Sequence, residues 1–174
     1  MKALTVYQPW AQLLAIGAKE YETRGWATKY RGPIAIHAGA MNPFRAIRDL
    51  NDEVIFRMKQ ILRENGQISV HGDFRYLTLG AVIATADLIG CSQIIEDATI
   101  RPDALRGVKC ECIIQIDNLK LRGKYVPSTT EILFGDWTPG RYAWELSNVV
   151  MLPDPIPAKG KQGLWNWDEI GFAS

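Results

Sequence analysis

Gly17-Ala-Lys-Glu-Tyr-Glu-Thr-Arg24 places Lys19, Glu22 and Arg24 within one short turn-to-strand segment. Just before it, Pro9-Trp-Ala-Gln-Leu-Leu-Ala-Ile16 reads as an amphipathic helix that begins on a proline, and Gly17 is placed to end it as the residue that tolerates positive φ. Lys19 is therefore expected at an exposed lip of the turn. If residues 20–24 run as a strand, the period of two puts Glu22 and Arg24 on one face, close enough to pair, with Tyr21 and Thr23 on the other. A pair fixed in this way could hold a polar ligand beside Lys19. The same spacing also fits an edge strand with ordinary solvated charges, because surface ion pairs are common and contribute only about 0–1 kcal/mol.

Working outward, Ala3 to Val6 and Ile34 to His37 read as short strands. From Pro43 to Asn65 the period turns helical: Phe44, Ile47, Leu50, Val54, Ile55, Met58, Ile61 and Leu62 recur at three and four residues. Asn42 and Pro43 start this helix and Asn65-Gly66 stop it. Arg45 and Arg48 on its first turns are either phosphate contacts or part of a solvated face. Leu79 to Ile89 is a β-branched, apolar run suited to a central strand, and Cys110 to Leu121 is another, broken at Asp117-Asn118. Tyr142, Trp144 and Leu146 alternate with Ala143, Glu145 and Ser147 as a strand with one apolar face. Pro153, Pro155 and Pro157 make an extended, stiff segment, and Trp165 and Trp167 are expected to anchor the chain after it onto the core. Many strands and few helices point to a closed or partly closed barrel.

The 174 residues, 47% hydrophobic and 22% charged, suffice for one domain with a substantial core, and no linker or internal repeat divides them. Twenty basic against nineteen acidic residues give a formal charge of +1, which excludes the bulk positive charge of a protein that coats nucleic acid regardless of sequence. Any nucleic-acid contact must be local. No run of about 18 apolar residues exists, and the first residues lack the apolar core of a signal peptide, so no membrane partner and a cytoplasmic location are expected. Cys91, Cys110 and Cys112 have no second cysteine or histidine pair to complete a ligand set, so no metal or other cofactor is expected. Of the six tryptophans, Trp26 and Trp137 sit in polar, turn-like contexts and are the candidates for stacking on a base, whereas Trp144, Trp165 and Trp167 read as structural. Arg141, just after the Thr138-Pro139-Gly140 turn signal, and the small basic pair Lys159 and Lys161 are further candidate anion contacts.

Gly-x-Lys-x-x-Glu-x-Arg after a Gln-Pro-Trp helix, followed by Gly32-Pro-Ile-Ala-Ile-His-Ala-Gly39, closely resembles the signature of the activating-signal-cointegrator homology (ASCH) family. The resemblance continues through Leu79-Gly-Ala-Val-Ile-Ala-Thr-Ala86 and Pro139-Gly-Arg-Tyr-Ala-Trp-Glu-Leu146, and so covers most of the chain. It implies an α+β fold, a PUA-like β-barrel with flanking helices, as a single domain over residues 1–174 with a helical insertion near 43–65. It further implies recognition of RNA, or of a nucleoside or nucleotide, in a cleft lined by the motif. Lys19, Glu22 and Arg24 are the expected ligand contacts, with Gln8 and His37 as neighbours able to read a base edge or donate to phosphate, and Trp26, Trp137 and Arg141 beside them.

The family's chemistry is divided. One branch resembles an amidohydrolase acting on N4-acetylcytidine through a lysine, a threonine three positions later and a distant glutamate; another is assigned ribonuclease activity. Lys19 matches the lysine, but Glu22 stands where that branch has threonine, which puts the threonine mechanism in doubt. Glu131, Asp136 and Glu145 all remain open as the distant carboxylate. If the chain is an enzyme, the expectation is a metal-independent hydrolase with Lys19 as base or electrophile and Glu22 activating water. A module binding a peptide or small metabolite is the third possibility, and the oligomeric state is open.

Overall fold

A computed structural model describes residues 1–96, 112–117, 122–125 and 127–168. In chain order these form β1 (Lys2–Val6), α1 (Trp10–Ala15), β2 (Tyr21–Arg24), β3 (Gly32–Ala38), α2 (Pro43–Ala46), α3 (Asp52–Glu64), a single 3₁₀ turn (Phe74–Tyr76), β4 (Ala81–Glu96), β5 (Cys112–Asp117), β6 (Arg122–Tyr125), α4 (Thr129–Phe134), β7 (Tyr142–Pro157) and β8 (Leu164–Asn166). They fall into two compact units. The first comprises Met1–Ala18, Gly32–Asp87 and Asn148–Ser174, and the second Lys19–Arg31 and Leu88–Ser147. The long strands β4 and β7 contribute residues to both.

In the first unit β1 runs parallel to β3, with Lys2 opposite Ile34 and Val6 opposite Ala38, and antiparallel to β8, with Ala3 opposite Trp165. Ala3, Ala35, Val82, Trp165 and Trp167 form a buried cluster on which Leu152, Ile156 and Ala158 pack. The alternation of β7 explains how three prolines fit here: Leu152 and Ile156 turn inward while Pro153, Pro155 and Pro157 stay exposed, where their missing N–H groups cost least. Helix α1 ends as a Schellman turn, with Gly17 at φ 70° and the N–H groups of Ala18 and Gly17 bonded to the carbonyls of Leu13 and Leu14. That turn delivers the chain to Lys19.

The helical pattern at 43–65 is two helices rather than one. Asn42 caps α2 by accepting the Phe44 N–H, and Asn51 caps α3 by accepting the Val54 N–H. A second cap inside a continuous apolar pattern restarts the helix, because the asparagine side chain satisfies an otherwise orphaned N–H. Only Val54, Met58 and Leu62 of α3 are buried, a stripe at four-residue spacing in which each side chain gains about 1.5–3 kcal/mol on leaving water.

In the second unit β2 lies antiparallel to β7, and β4, β5 and β6 form an antiparallel run with Gln93 opposite Gln115 and Asp117 opposite Arg122. Asn118, in the break read at Asp117-Asn118, lies outside the described residues. Cys110 lies outside the described residues. Leu88, Ile94, Phe134, Ala143, Trp144 and Leu146 are among its buried apolar side chains.

Candidate functional site

Strand β2 carries the motif, and its register fixes what each residue faces. Tyr21 stands opposite Glu145, Glu22 opposite Trp144, Thr23 opposite Ala143 and Arg24 opposite Tyr142. Cross-strand partners share a face, so Glu22 and Arg24 lie with Trp144 and Tyr142, and Tyr21 and Thr23 lie with Glu145 and Ala143. Arg24 Nε sits 3.1 Å from Glu22 Oε1, and the two side chains keep 25% and 11% of their surface open. The ion pair buries Arg24 Nε against the carboxylate while a quarter of the arginine side chain stays open.

Lys19 differs from the exposed lip expected of it: it is 1% exposed. Its ammonium donates to the carbonyl of Tyr21 and lies 3.4 Å from Glu131 Oε2, which is itself buried. Glu131 Oε1 accepts the N–H of Glu20, so one carboxylate holds both the side chain of Lys19 and the backbone that follows it. A lysine with two good acceptors is carried inward because pairing offsets the desolvation of its charge. Among the three carboxylates left open by the sequence, Glu131 is the one that meets Lys19.

Local chemistry explains how Glu131 is aimed. Ser128 caps α4 by accepting the N–H of Glu131 at 3.2 Å, the first half of a capping box. The glutamate carboxylate of such a box ordinarily turns back to the cap; here it is engaged by Lys19 and Glu20. The indole N–H of Trp137 donates to the carbonyl of Glu131 at 2.6 Å, and its ring meets Tyr21 edge-on with centroids 5.9 Å apart. Position 135 must be glycine for this contact, since a Cβ there would lie 2.5 Å from Trp137 Nε1. Trp137 is accordingly 6% exposed and braces Glu131, rather than standing open as its polar sequence context implied. Arg141 donates to the carbonyls of Thr23 (3.3 Å) and Asp136 (3.1 Å) and pairs with the Asp136 carboxylate at 3.2 Å, while Thr23 Oγ1 accepts the Asp136 N–H.

Residues 4–101, more than half of the chain, match the ASCH domain. The chain belongs to the ASCH family. Its α+β fold is therefore the PUA-like β-barrel of that family, and ASCH domains are generally RNA-binding PUA-like modules. A search of curated proteins returns no match.

The remaining candidates of this ASCH domain occupy different surroundings. Trp26 is exposed, Trp144 is wholly buried, and the two rings stand perpendicular with centroids 4.5 Å apart. Gln8 and His37 belong to the first unit, and both have structural partners there. Gln8 donates to the Thr78 carbonyl and accepts the N–H of Gln12. His37 shares a register position with Thr5 on β1, and together they clasp the segment 158–161: His37 Nε2 is 3.0 Å from the Ala158 carbonyl, and Thr5 Oγ1 donates to the Lys161 carbonyl at 3.0 Å. A carbonyl only accepts, so Nε2 carries the proton and Nδ1, which is buried, is a bare acceptor beside Gly160.

Burial lowers the His37 pKa below its ordinary 6.5, against the opposing pull of the Ala158 carbonyl. As pH falls through 6.5 the unfolded chain takes up a proton that the folded chain refuses, so this histidine removes stability on acidification. Glu145 works in the opposite sense: burial and the nearby Glu20 raise its pKa above 4.5, so its folded form is favoured as pH falls. His37→Gln should therefore lose less stability than wild type between pH 7 and 5.5, read as thermal midpoints across that range. Superimposable pH profiles would contradict the assignment.

Proposed function

We propose that this ASCH domain recognises an RNA segment or a modified nucleoside at the motif strand. Arg24 takes a phosphate or a base acceptor, and Glu22 accepts from an exocyclic amine. The observation that carries this reading is the Glu22–Arg24 pair, in which the guanidinium is positioned by a neighbour yet left partly open, flanked across the strand by Tyr142 and Trp144. Lys19 and Glu131 act from beneath, fixing the turn from which β2 departs, and Gln8 and His37 serve the packing of their own unit. The reading expects Arg24→Ala to weaken binding of single-stranded RNA tenfold or more, on about 1.5–3 kcal/mol for a charge-assisted bond, in a variant whose unfolding midpoint is unchanged. Equal affinities for wild type and variant in a fluorescence-anisotropy titration contradict it.

A hydrolase reading has one specific observation in its favour, the Glu131 carboxylate beside Lys19. In that reading Glu131, in place of Glu22, is the proton acceptor and the lysine ammonium stabilises a developing oxyanion. The satisfied state of Lys19 favours recognition over turnover, because a substrate oxygen has to displace the Tyr21 carbonyl or the Glu131 carboxylate to reach the ammonium. Incubation with N4-acetylcytidine and with labelled single-stranded RNA separates the two readings: product formed by wild type and lost in Glu131→Gln supports hydrolysis, and bound RNA recovered intact supports recognition.

A further inference from the structure

The segment after the motif, Arg24-Gly-Trp-Ala-Thr-Lys-Tyr-Arg31, holds Arg24, Lys29 and Arg31 with two aromatic residues and no acid, in a chain whose formal charge is only +1. The segment is pinned by its own polar groups. Thr28 N–H donates to Cys91 Sγ at 3.4 Å, Tyr30 N–H to Thr28 Oγ1 at 3.1 Å, and the Arg31 guanidinium to the carbonyls of Thr28 (3.0 Å) and Tyr30 (2.7 Å). At its centre Trp26 is 38% exposed. Its carbonyl accepts the indole N–H of Trp144 at 3.2 Å and its ring stands at 85° to that of Trp144, so both its backbone and its ring are held by one buried neighbour.

Trp144 meets the Trp26 ring perpendicularly and does not stack on it, and Trp26 keeps 38% of its surface exposed. Arg141 adds a further cation on the same segment, since its Nη1 lies 3.7 Å from where a Gly25 side chain would begin. A fixed, partly exposed indole, with Lys29 and Arg31 on its own segment and Arg24 and Arg141 beside it as cations already positioned by Glu22 and Asp136, has the two attributes of a single-strand site: an aromatic surface that accepts any base, and positive charge for the phosphates on either side.

We infer that Trp26 is the stacking platform for one unpaired nucleobase, with Arg24, Lys29, Arg31 and Arg141 drawing the flanking phosphates. The inference rests on the RNA-recognition reading and narrows its ligand to a single strand, because bases inside a duplex present no free face. Trp26→Leu removes the aromatic surface while keeping apolar bulk, and Trp26→Phe keeps a smaller ring against Trp144. Phe56→Leu, at another exposed aromatic residue, is the control.

The test is binding of a labelled 12-nucleotide RNA, single-stranded and annealed to its complement, across a salt series, with unfolding midpoints taken for each variant. The expected result is a roughly 5- to 150-fold loss for Trp26→Leu, the range that stacking of one base supplies, with a smaller loss for Trp26→Phe and none for Phe56→Leu. The slope of log affinity against log salt should not change, because no phosphate contact is removed. Should Trp26→Leu fail to fold, equal affinities of Trp26→Phe and wild type overturn the inference. It is likewise overturned, with the RNA reading intact, if Trp26→Leu binds the single strand like wild type or if the duplex binds as tightly. Absence of any RNA binding by wild type overturns both.

Discussion

Lys19→Met is expected to lower the unfolding free energy by about 3–5 kcal/mol, the cost of leaving a buried carboxylate without its partner. The methionine keeps the apolar stem, so the loss isolates the charge. Glu131 then faces the interior with only the Glu20 N–H to satisfy it, and the anchor that ties α4 to the start of β2 is half gone. The ion pair itself need not be stabilising overall, since well-packed apolar replacements of buried pairs are often neutral. Lys19→Met/Glu131→Leu should therefore recover much of what the single change loses, and the difference in a double-mutant cycle measures the coupling. Urea unfolding midpoints at constant m-value provide the measurement. A single Lys19→Met variant within 1 kcal/mol of wild type on the order-of-magnitude scale of such pairs would mean that the buried pair does not exist in solution.

Trp144→Ala carries the second large effect. Trp144 is wholly buried on β7, opposite Glu22, and its removal leaves a cavity worth about 3–5 kcal/mol. The same change deletes the perpendicular ring and the N–H donor that hold Trp26, so the folded fraction should also bind RNA more weakly than wild type does. Trp144→Phe separates the two consequences. It fills most of the cavity and loses the donor, so stability should fall by less than for alanine while RNA affinity still drops. RNA affinity unchanged in both folded variants would disconnect Trp144 from recognition.

The local part of this architecture is legible in the sequence. A proline before a helical period and a glycine after it bound α1, and the alternation across Tyr21–Arg24 pairs Glu22 with Arg24, because both signals depend on residues within a few positions of one another. The same holds for Trp165 and Trp167, whose burial follows from apolar bulk beside β8. Helix 43–65 was legible as helical and not as two helices: Asn51 reads as one more polar position until its cap is seen to form.

The burial of Lys19 is a different case. Its partner is 112 residues away, and a lysine after a helix-ending glycine is exposed unless a distant carboxylate comes to meet it. Ser128-Thr-Thr-Glu131 does carry a capping-box signal, but that pattern assigns the glutamate to its own helix end. Trp137 misleads for a related reason. Its flanking Asp136 and Thr138 are polar and exposed, while its indole N–H is drawn inward by the Glu131 carbonyl.

A salt titration of single-stranded RNA binding by wild type, Arg24→Ala and Arg48→Ala is the sharpest test of the proposed RNA recognition at the motif strand. Arg48 is an exposed arginine of the first unit, paired with its neighbour Asp49, and serves as the charge-matched comparison. Recognition at the motif strand requires that Arg24→Ala alone loses affinity and that its log–log salt slope becomes shallower by about 0.7, the share of one phosphate contact on a single strand. Equal losses in both variants, or a loss confined to Arg48→Ala, would contradict it.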